Sequence, residues 1–334
     1  MSLPKNIYHR IKKIYMKKLK ENCNPTMSIN EIRKQATEID ISNEMNVAIQ
    51  KNAIKLSERI LKISDKILNQ ENQLTIEFLI NQRNKWGEAF NLYELYYILS
   101  LKFAARYCQR CNHVSKDEEK EHVYEFIVIK ELHGRACQIY AEILCLIKNG
   151  YADGAYARWR TLYEIMIIIS FIKSQGKEAA KAFYDNSFID TQHCNWAKGL
   201  KCFKGKNNIS FKMIETKCNF NEKWMQEYKN ACKTVHASPE GTFGRISNKK
   251  EGLNIIPVGR CDYGINIPAT HSCITLSIIN AEFMTIFSHF NTLVELQTLM
   301  ELKNTVVNSF KNAEKEIFNK ESEIKITTIN PRLT

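Results

Sequence analysis

Apolar residues recur at helical intervals along most of the chain, as in Ile60, Leu61, Ile67 and Leu68, or Ile139, Ile143, Leu144 and Ile147. No proline interrupts the pattern between Pro25 and Pro239. It predicts an all-α fold: a multi-helix bundle. A basic helix is expected from about residue 4 to 22, ended by Asn24-Pro25, with further helices over roughly 28 to 70 and 74 to 112. Helices near 117 to 148 and 153 to 174 then form a central antiparallel hairpin, in which Asn149-Gly150 stops the first helix and Asp153 caps the second. Shorter helices follow near 177 to 198 and 221 to 236, and a long apolar helix from about Thr270 to Leu302 closes the bundle.

Seven of the 12 glycines lie between Gly199 and Gly264, with Pro239, Pro257 and Pro268 in or beside that interval. A Gly/Pro-rich loop insertion over about 199–268 is therefore expected, and a loop this long inside a compact body is usually functional. The resulting division is a basic N-terminal helical region (1–80), a helical core domain (81–302) and a polar C-terminal helix and tail (303–334). No internal repeat is visible.

Composition removes several classes. A chain of 334 residues with 44% hydrophobic and 25% charged residues is an ordinary globular protein, not a disordered, collagen-like or rod-like one. The longest strongly apolar run, Ile165 to Ile172, falls far short of the ~18 residues a membrane span needs. With no apolar signal segment at the N-terminus, a cytoplasmic protein without membrane association is expected. The 48 Lys and Arg exceed the 36 Asp and Glu by 12, and the excess is concentrated. Seven of the first 20 residues are basic and none is acidic, while residues 198 to 260 hold 13 basic and 5 acidic groups. Either block can be a solvated face, a nucleic-acid surface or a contact with a membrane surface. As a nucleic-acid footprint, the expected contacts are Lys12, Lys13, Lys17, Lys18, Lys233 and Arg245, with RNA the expected nucleic acid.

The 11 cysteines are odd in number and scattered, and read as reduced thiols rather than a disulfide framework. Cys108-x2-Cys111-x-His113 has metal-like spacing, but no second ligand pair follows. Neither a metal nor a cofactor is expected.

Two constellations carry chemistry. In AYARWRTLYEIMIIISF, Arg158, Arg160 and Glu164 sit among apolar neighbours, and Arg160 and Glu164 are four apart, on one helix face. Charges in such a place need partners, so the group either locks helix packing or presents a rigid guanidinium fork to a phosphate. In EYKNACKTVHASPEG, Lys229, Asn230, Lys233 and His236 lie at the end of a predicted helix. A histidine beside lysines is held toward its neutral form, able to accept a proton from a hydroxyl near pH 7. The alternative is a helix-terminal histidine that stabilises its own helix.

The segments ELHGRACQIYAEILCLIKNGYADGAYARWRTLYEI and YKNACKTVHASP resemble DUF5677, a bacterial family of unknown function, over roughly residues 85 to 300. The resemblance implies an all-helical fold and supplies no activity. More distantly, the arrangement is similar to the HEPN superfamily, which includes metal-independent ribonucleases of toxin and antiviral systems. Their motif is an Arg and a polar residue, followed four to six positions later by a His. Here Lys229-Asn230 precedes His236, with Lys where Arg is expected. Arg106-x6-His113 is a looser second match. That similarity implies a ribonuclease-like effector of a bacterial defence or toxin system, with His236 as general base or acid and Asn230 orienting it. Lys229 with Arg158 or Arg160 would face the phosphate, and Glu164 would hold Arg160. The other reading is a non-catalytic helical subunit that binds nucleic acid or a partner protein; a partner protein or a second copy is expected in either case.

Overall fold

A computed structural model describes residues 6–112, 116–187, 189, 194–236, 238–247, 258–287 and 289–329. The chain divides into two compact units, Met1–Ile76 and Glu77–Thr334. Among the described residues there are twelve α-helices, two short 3₁₀ turns and no strand, so the fold is all-α.

The first unit holds α1 (Asn6–Asn22), α2 (Ile29–Glu38), α3 (Ser42–Lys62) and the beginning of α4 (Ser64–Cys111). The single helix expected over 28 to 70 is thus three. A capping box starts α2, in which Ser28 Oγ accepts from the Glu31 N–H and the Glu31 carboxylate accepts from the Ser28 N–H at 2.7 Å. Asp40 then accepts from the Ser42 N–H at 2.8 Å, a local turn that stops one helix and opens the next. A one-residue break at Ile63 separates α3 from α4. The helix α1 is tied down by Tyr15 Oη donating to Ala36 O at 2.7 Å and by Lys18, which bonds Asp40 O at 2.9 Å and Glu44 at 2.5 Å.

In the second unit, α4 from Glu77 onward is joined by α5 (Lys116–Lys148), α6 (Ala152–Gln175), α7 (Lys177–Asp185), α8 (Phe211–Glu215), α9 (Glu222–Val235), α10 (Pro239–Phe243), α11 (Asn266–Met284) and α12 (Phe290–Ile329). The α5–α6 hairpin is central, and α11 packs against both of its arms. Its turn depends on Gly150, whose φ of +77° suits glycine and whose Cβ would lie 2.4 Å from Phe78 Cζ and 2.9 Å from Cys261 N. Gly150 O accepts from the Cys261 N–H at 3.0 Å, which leaves no room for a side chain there.

Three expectations are corrected. Asp153 does not cap α6: the N-cap is Tyr151, with no side-chain bond, and Asp153 instead accepts from the Ile246 N–H at 2.9 Å and from the Ser247 hydroxyl. The helix expected over 177 to 198 ends at Asp185, and two 3₁₀ turns follow because Trp196 and Phe203 are drawn into the core against Phe171. The helix expected from Thr270 to Leu302 breaks after Met284, where Ile286 and Phe287 fold inward and the Phe287 N–H donates to Tyr107 Oη at 2.9 Å. The insertion is partly helical, since α8, α9 and α10 lie within it; 248–257 falls outside the described residues.

A polar chain runs through the apolar centre. His133 Nε2 donates to Asn280 Oδ1 at 2.8 Å, and Asn280 Nδ2 donates to Ser100 Oγ at 2.9 Å, joining α5, α11 and α4. Beside it Tyr93 stacks on Tyr140 with ring centroids 4.0 Å apart and shares a 2.6 Å hydrogen bond with Ser272. Burial pushes the His133 imidazole down to about 4, so it stays neutral. Below its ordinary value near 6.5 the unfolded chain takes up a proton that the folded one refuses, so stability falls as pH drops from about 6.5 to about 4. The melting temperature is therefore expected to decline across that window. It should decline less in His133→Gln, which keeps a donor and does not titrate; equal slopes for the two proteins would refute the assignment.

Candidate functional site

The site is assembled where α9 covers one side of α6 and α10 packs on α9. The face of α9 turned to α6 carries Trp224, Tyr228 and Ala231, while Lys229 is exposed. Three tyrosine–glutamate bonds stitch the layer together. Tyr156 Oη donates to Glu227 at 2.8 Å, Tyr228 Oη to Glu164 at 2.7 Å, and Tyr163 Oη to Glu215 at 2.9 Å. Burial, reinforced by the neighbouring carboxylate, raises all three phenols well above their ordinary range, so each remains a donor.

Each charge on α6 has a partner. Arg160 meets Glu164 at 2.8 Å and lies 5.8 Å from the centre of the Tyr228 ring, although its Nε is buried without an acceptor. Arg158, two positions earlier, is reached by Glu142 of α5. The guanidiniums are therefore held by carboxylates, as buried or half-buried charges require.

Beside this lock an open cleft of about 670 Å³ is lined by Tyr156, Glu227, Asn230, Lys233, Glu240 and Phe243, among others. Phe243 is 75% exposed at its edge. A second cleft of about 460 Å³ shares Thr234 with the first and is lined by Asp153, Arg245 and Ser247. Gly241 fits between the two only as glycine, because a Cβ would sit 2.1 Å from Lys233 O and 2.4 Å from His236 O. Asn230 and Lys233 thus share one cleft, and Arg245 lines its neighbour.

The remaining expected residues are dispersed. His236 is the C-cap of α9 in extended conformation, and its exposed ring has no hydrogen bond or ion pair among the described residues. Neither cleft is lined by it. Asn230 accepts from Gln226 Nε2 at 3.2 Å instead of reaching His236, and Lys233 pairs with Glu240 at 3.2 Å. In α1, Lys12 and Lys13 are exposed and Lys17 pairs with Glu21 at 3.7 Å, but Lys18 is engaged in fixing α1 to α3. Cys108 and Cys111 are half-buried, and burial pushes the Cys111 thiol up to about 11; His113 lies outside the described residues.

His271 was not among the residues singled out in the chain. Its ring is enclosed by Trp159 at 4.9 Å, Trp224 at 5.4 Å and Tyr156 at 6.2 Å, and Nδ1–H donates to Ile267 O at 2.7 Å. Burial lowers its pKa against the opposing pull of Glu227, so the imidazole is neutral. Only its lone position in THSC was visible in the chain; the aromatic enclosure comes from two other helices.

Residues 125–201 match a family described as "Family of unknown function (DUF5677)", covering α5 from Glu125, all of α6 and α7, and the first 3₁₀ turn. No curated protein and no solved structure matches the chain.

Removing the Glu164 carboxylate leaves Arg160 and Tyr228 without their shared acceptor. A fully buried pair broken this way costs roughly 3–5 kcal/mol. Because Arg160 keeps a third of its side chain in water, Glu164→Ala is expected to cost about 2 kcal/mol, and Tyr228→Phe about 1 kcal/mol. Urea titration checks both, and a non-additive double variant would mark the shared bond.

Proposed function

We propose that the chain is a cytoplasmic, helical nucleic-acid-binding effector of a bacterial defence- or toxin-type system, which holds single-stranded RNA along residues 198–243. The observation that carries this reading is a set of lysines. Lys198, Lys204, Lys206, Lys217, Lys223 and Lys229 are all exposed, and among the described residues none meets a carboxylate. They sit on a segment that buries Phe203, Ile209, Ile214 and Ala231 in the core, so the cations are mounted on a fixed base. Unpaired lysines of this kind gain most from phosphates, because binding releases the counterions that otherwise surround the nucleic acid. Exposed Phe243 beside Lys233 adds a ring on which an unpaired base can stack.

Affinity for a single-stranded RNA is expected to fall with salt at a log-log slope of about −0.7 per neutralised phosphate. Replacing Lys204, Lys206, Lys217 and Lys223 by Gln should flatten that slope. Phe243→Ala should weaken single-strand binding by about 1–3 kcal/mol and leave duplex binding unchanged. Filter binding or fluorescence anisotropy over a salt series reads both effects, and an unaltered slope in the lysine variant would reject the surface.

A second reading rests on His236. Its ring is free at the end of the helix that carries Lys229 and Asn230, which leaves it available to a ribose hydroxyl brought there by bound RNA. If the effector cleaves RNA without a metal, His236→Ala should abolish cleavage and a chelator should not. The variant should also keep its melting temperature, because an exposed helix-terminal histidine contributes little to stability. Undiminished cleavage by His236→Ala would exclude this chemistry and leave the binding role.

A further inference from the structure

The first unit carries an apolar face that its own helices do not cover. From Asn46 to Leu74, along α3 and, past the one-residue break at Ile63, the first turns of α4, the residues Ile49, Ala53, Leu56, Ile60, Ile63, Ile67 and Leu74 recur at alternating steps of three and four, with Asn46 and Gln70 at the two polar places. Within the first unit α1 meets α2 and α3, at Lys18 and Glu44 near the start of α3. Ile49, Ile60, Ile63, Ile67 and Leu74 are exposed, as are Val47, Ile54, Leu61 and Leu68, which form a second row one step round the helix. Leu61 leaves 72% of its surface in water.

Charge is segregated with the same precision. Between residues 46 and 70 the apolar side is interrupted only by uncharged residues such as Gln50, Ser57 and Ser64, while Lys51, Lys55, Glu58, Lys62 and Asp65 fall on the opposite side and Arg59 and Lys66 stand at the margin of the seam. A single helix with such a face is marginal in water, and helices in proteins are stabilised chiefly by packing that face. The steps of three and four average 3.5 residues, the period that keeps a seam against another helix rather than against a flat surface.

We propose that this face pairs with the same face of a second copy of the chain, as a parallel, in-register coiled coil over residues 46–74. Charge complementarity selects the partner and its direction. In that register Lys66, flanking the seam on one side, faces Glu71 of the second copy, and the two-fold axis makes the pair twice. An antiparallel arrangement would set Arg59 against Arg59 or Lys66 of the other chain. Ile60 and Ile67 occupy the first seam position and Leu56 and Ile63 the second, and Asn46 supplies one polar seam residue of the kind that fixes register.

Light scattering coupled to size exclusion of the full chain tests this at micromolar concentration. The expected mass is twice 38.9 kDa. Ile60→Glu with Ile67→Glu should give a monomer with unchanged helical content, because both side chains are exposed within a single copy. Lys66→Glu should raise the dimer dissociation constant roughly tenfold by setting like charges opposite one another, and adding Glu71→Lys should restore it. A monomeric native chain, or a dimer that survives the Ile60/Ile67 double variant, would overturn the proposal. A tighter dimer in Lys66→Glu would overturn the parallel register. A monomer that floats with phosphatidylcholine–phosphatidylserine vesicles would assign the face to a bilayer instead.

Discussion

One helix sets the terms for the second unit. With Tyr156, Trp159, Leu162, Tyr163, Ile165, Ile167, Ile169, Phe171 and Ile172 all buried, α6 is apolar around almost its whole circumference. Such a helix has to be surrounded, because no single neighbour can remove all of that surface from water. Its covering consists of α5 through the Gly150 turn, α11 on the flank, α7, and the layer of α8 and α9. The loop insertion is therefore not an appendage: its α8 and α9 are part of the wall around α6, held by tyrosine–glutamate bonds, of which Tyr163–Glu215 is buried.

The same constraint explains where polar groups are allowed. In a low-dielectric centre a hydrogen-bonding group without a partner is costly, so the polar residues there come in connected sets. His133, Asn280 and Ser100 form one such set, and Trp159 donating to Thr275 at 2.9 Å forms another, each joining α11 to a different neighbour. These bonds specify how the helices rotate against one another, which apolar contacts alone would leave degenerate. The clefts follow from that fixed rotation, because α9 can lie flat on α6 only as far as Ala231, beyond which Gly241 of α10 passes close beneath its final carbonyls.

What was legible in the chain was whatever depends on neighbours in sequence. The proline-free stretch and helical spacing marked the all-α fold, Asn149-Gly150 marked the hairpin turn, and the interval of four between Arg160 and Glu164 marked their contact. Illegible were the partners that arrive from afar. Glu142 on Arg158, Glu227 on Tyr156, and the aromatic enclosure of His271 all join residues of different helices, and no local periodicity encodes such a meeting. Asp153 shows how a local rule loses. Its position suited a helix cap, yet the insertion offers it a backbone N–H and a hydroxyl together, and two donors outcompete one.

The distribution of partners also bears on which cations are available to a phosphate. A phosphate approaching Arg158 or Arg160 has to displace a carboxylate already in contact, and for Arg160 it also has to compete with Tyr228 for Glu164. The exchange would trade one charge-assisted contact for another and leave a partly buried carboxylate without its cation. An exposed lysine such as Lys204 or Lys217 loses no such contact and gains the release of counterions. The arginines, better shaped for a phosphate fork, are thus the less accessible cations, and the lysines, weaker one at a time, form the surface that a polyanion can occupy without disturbing the packing of α6.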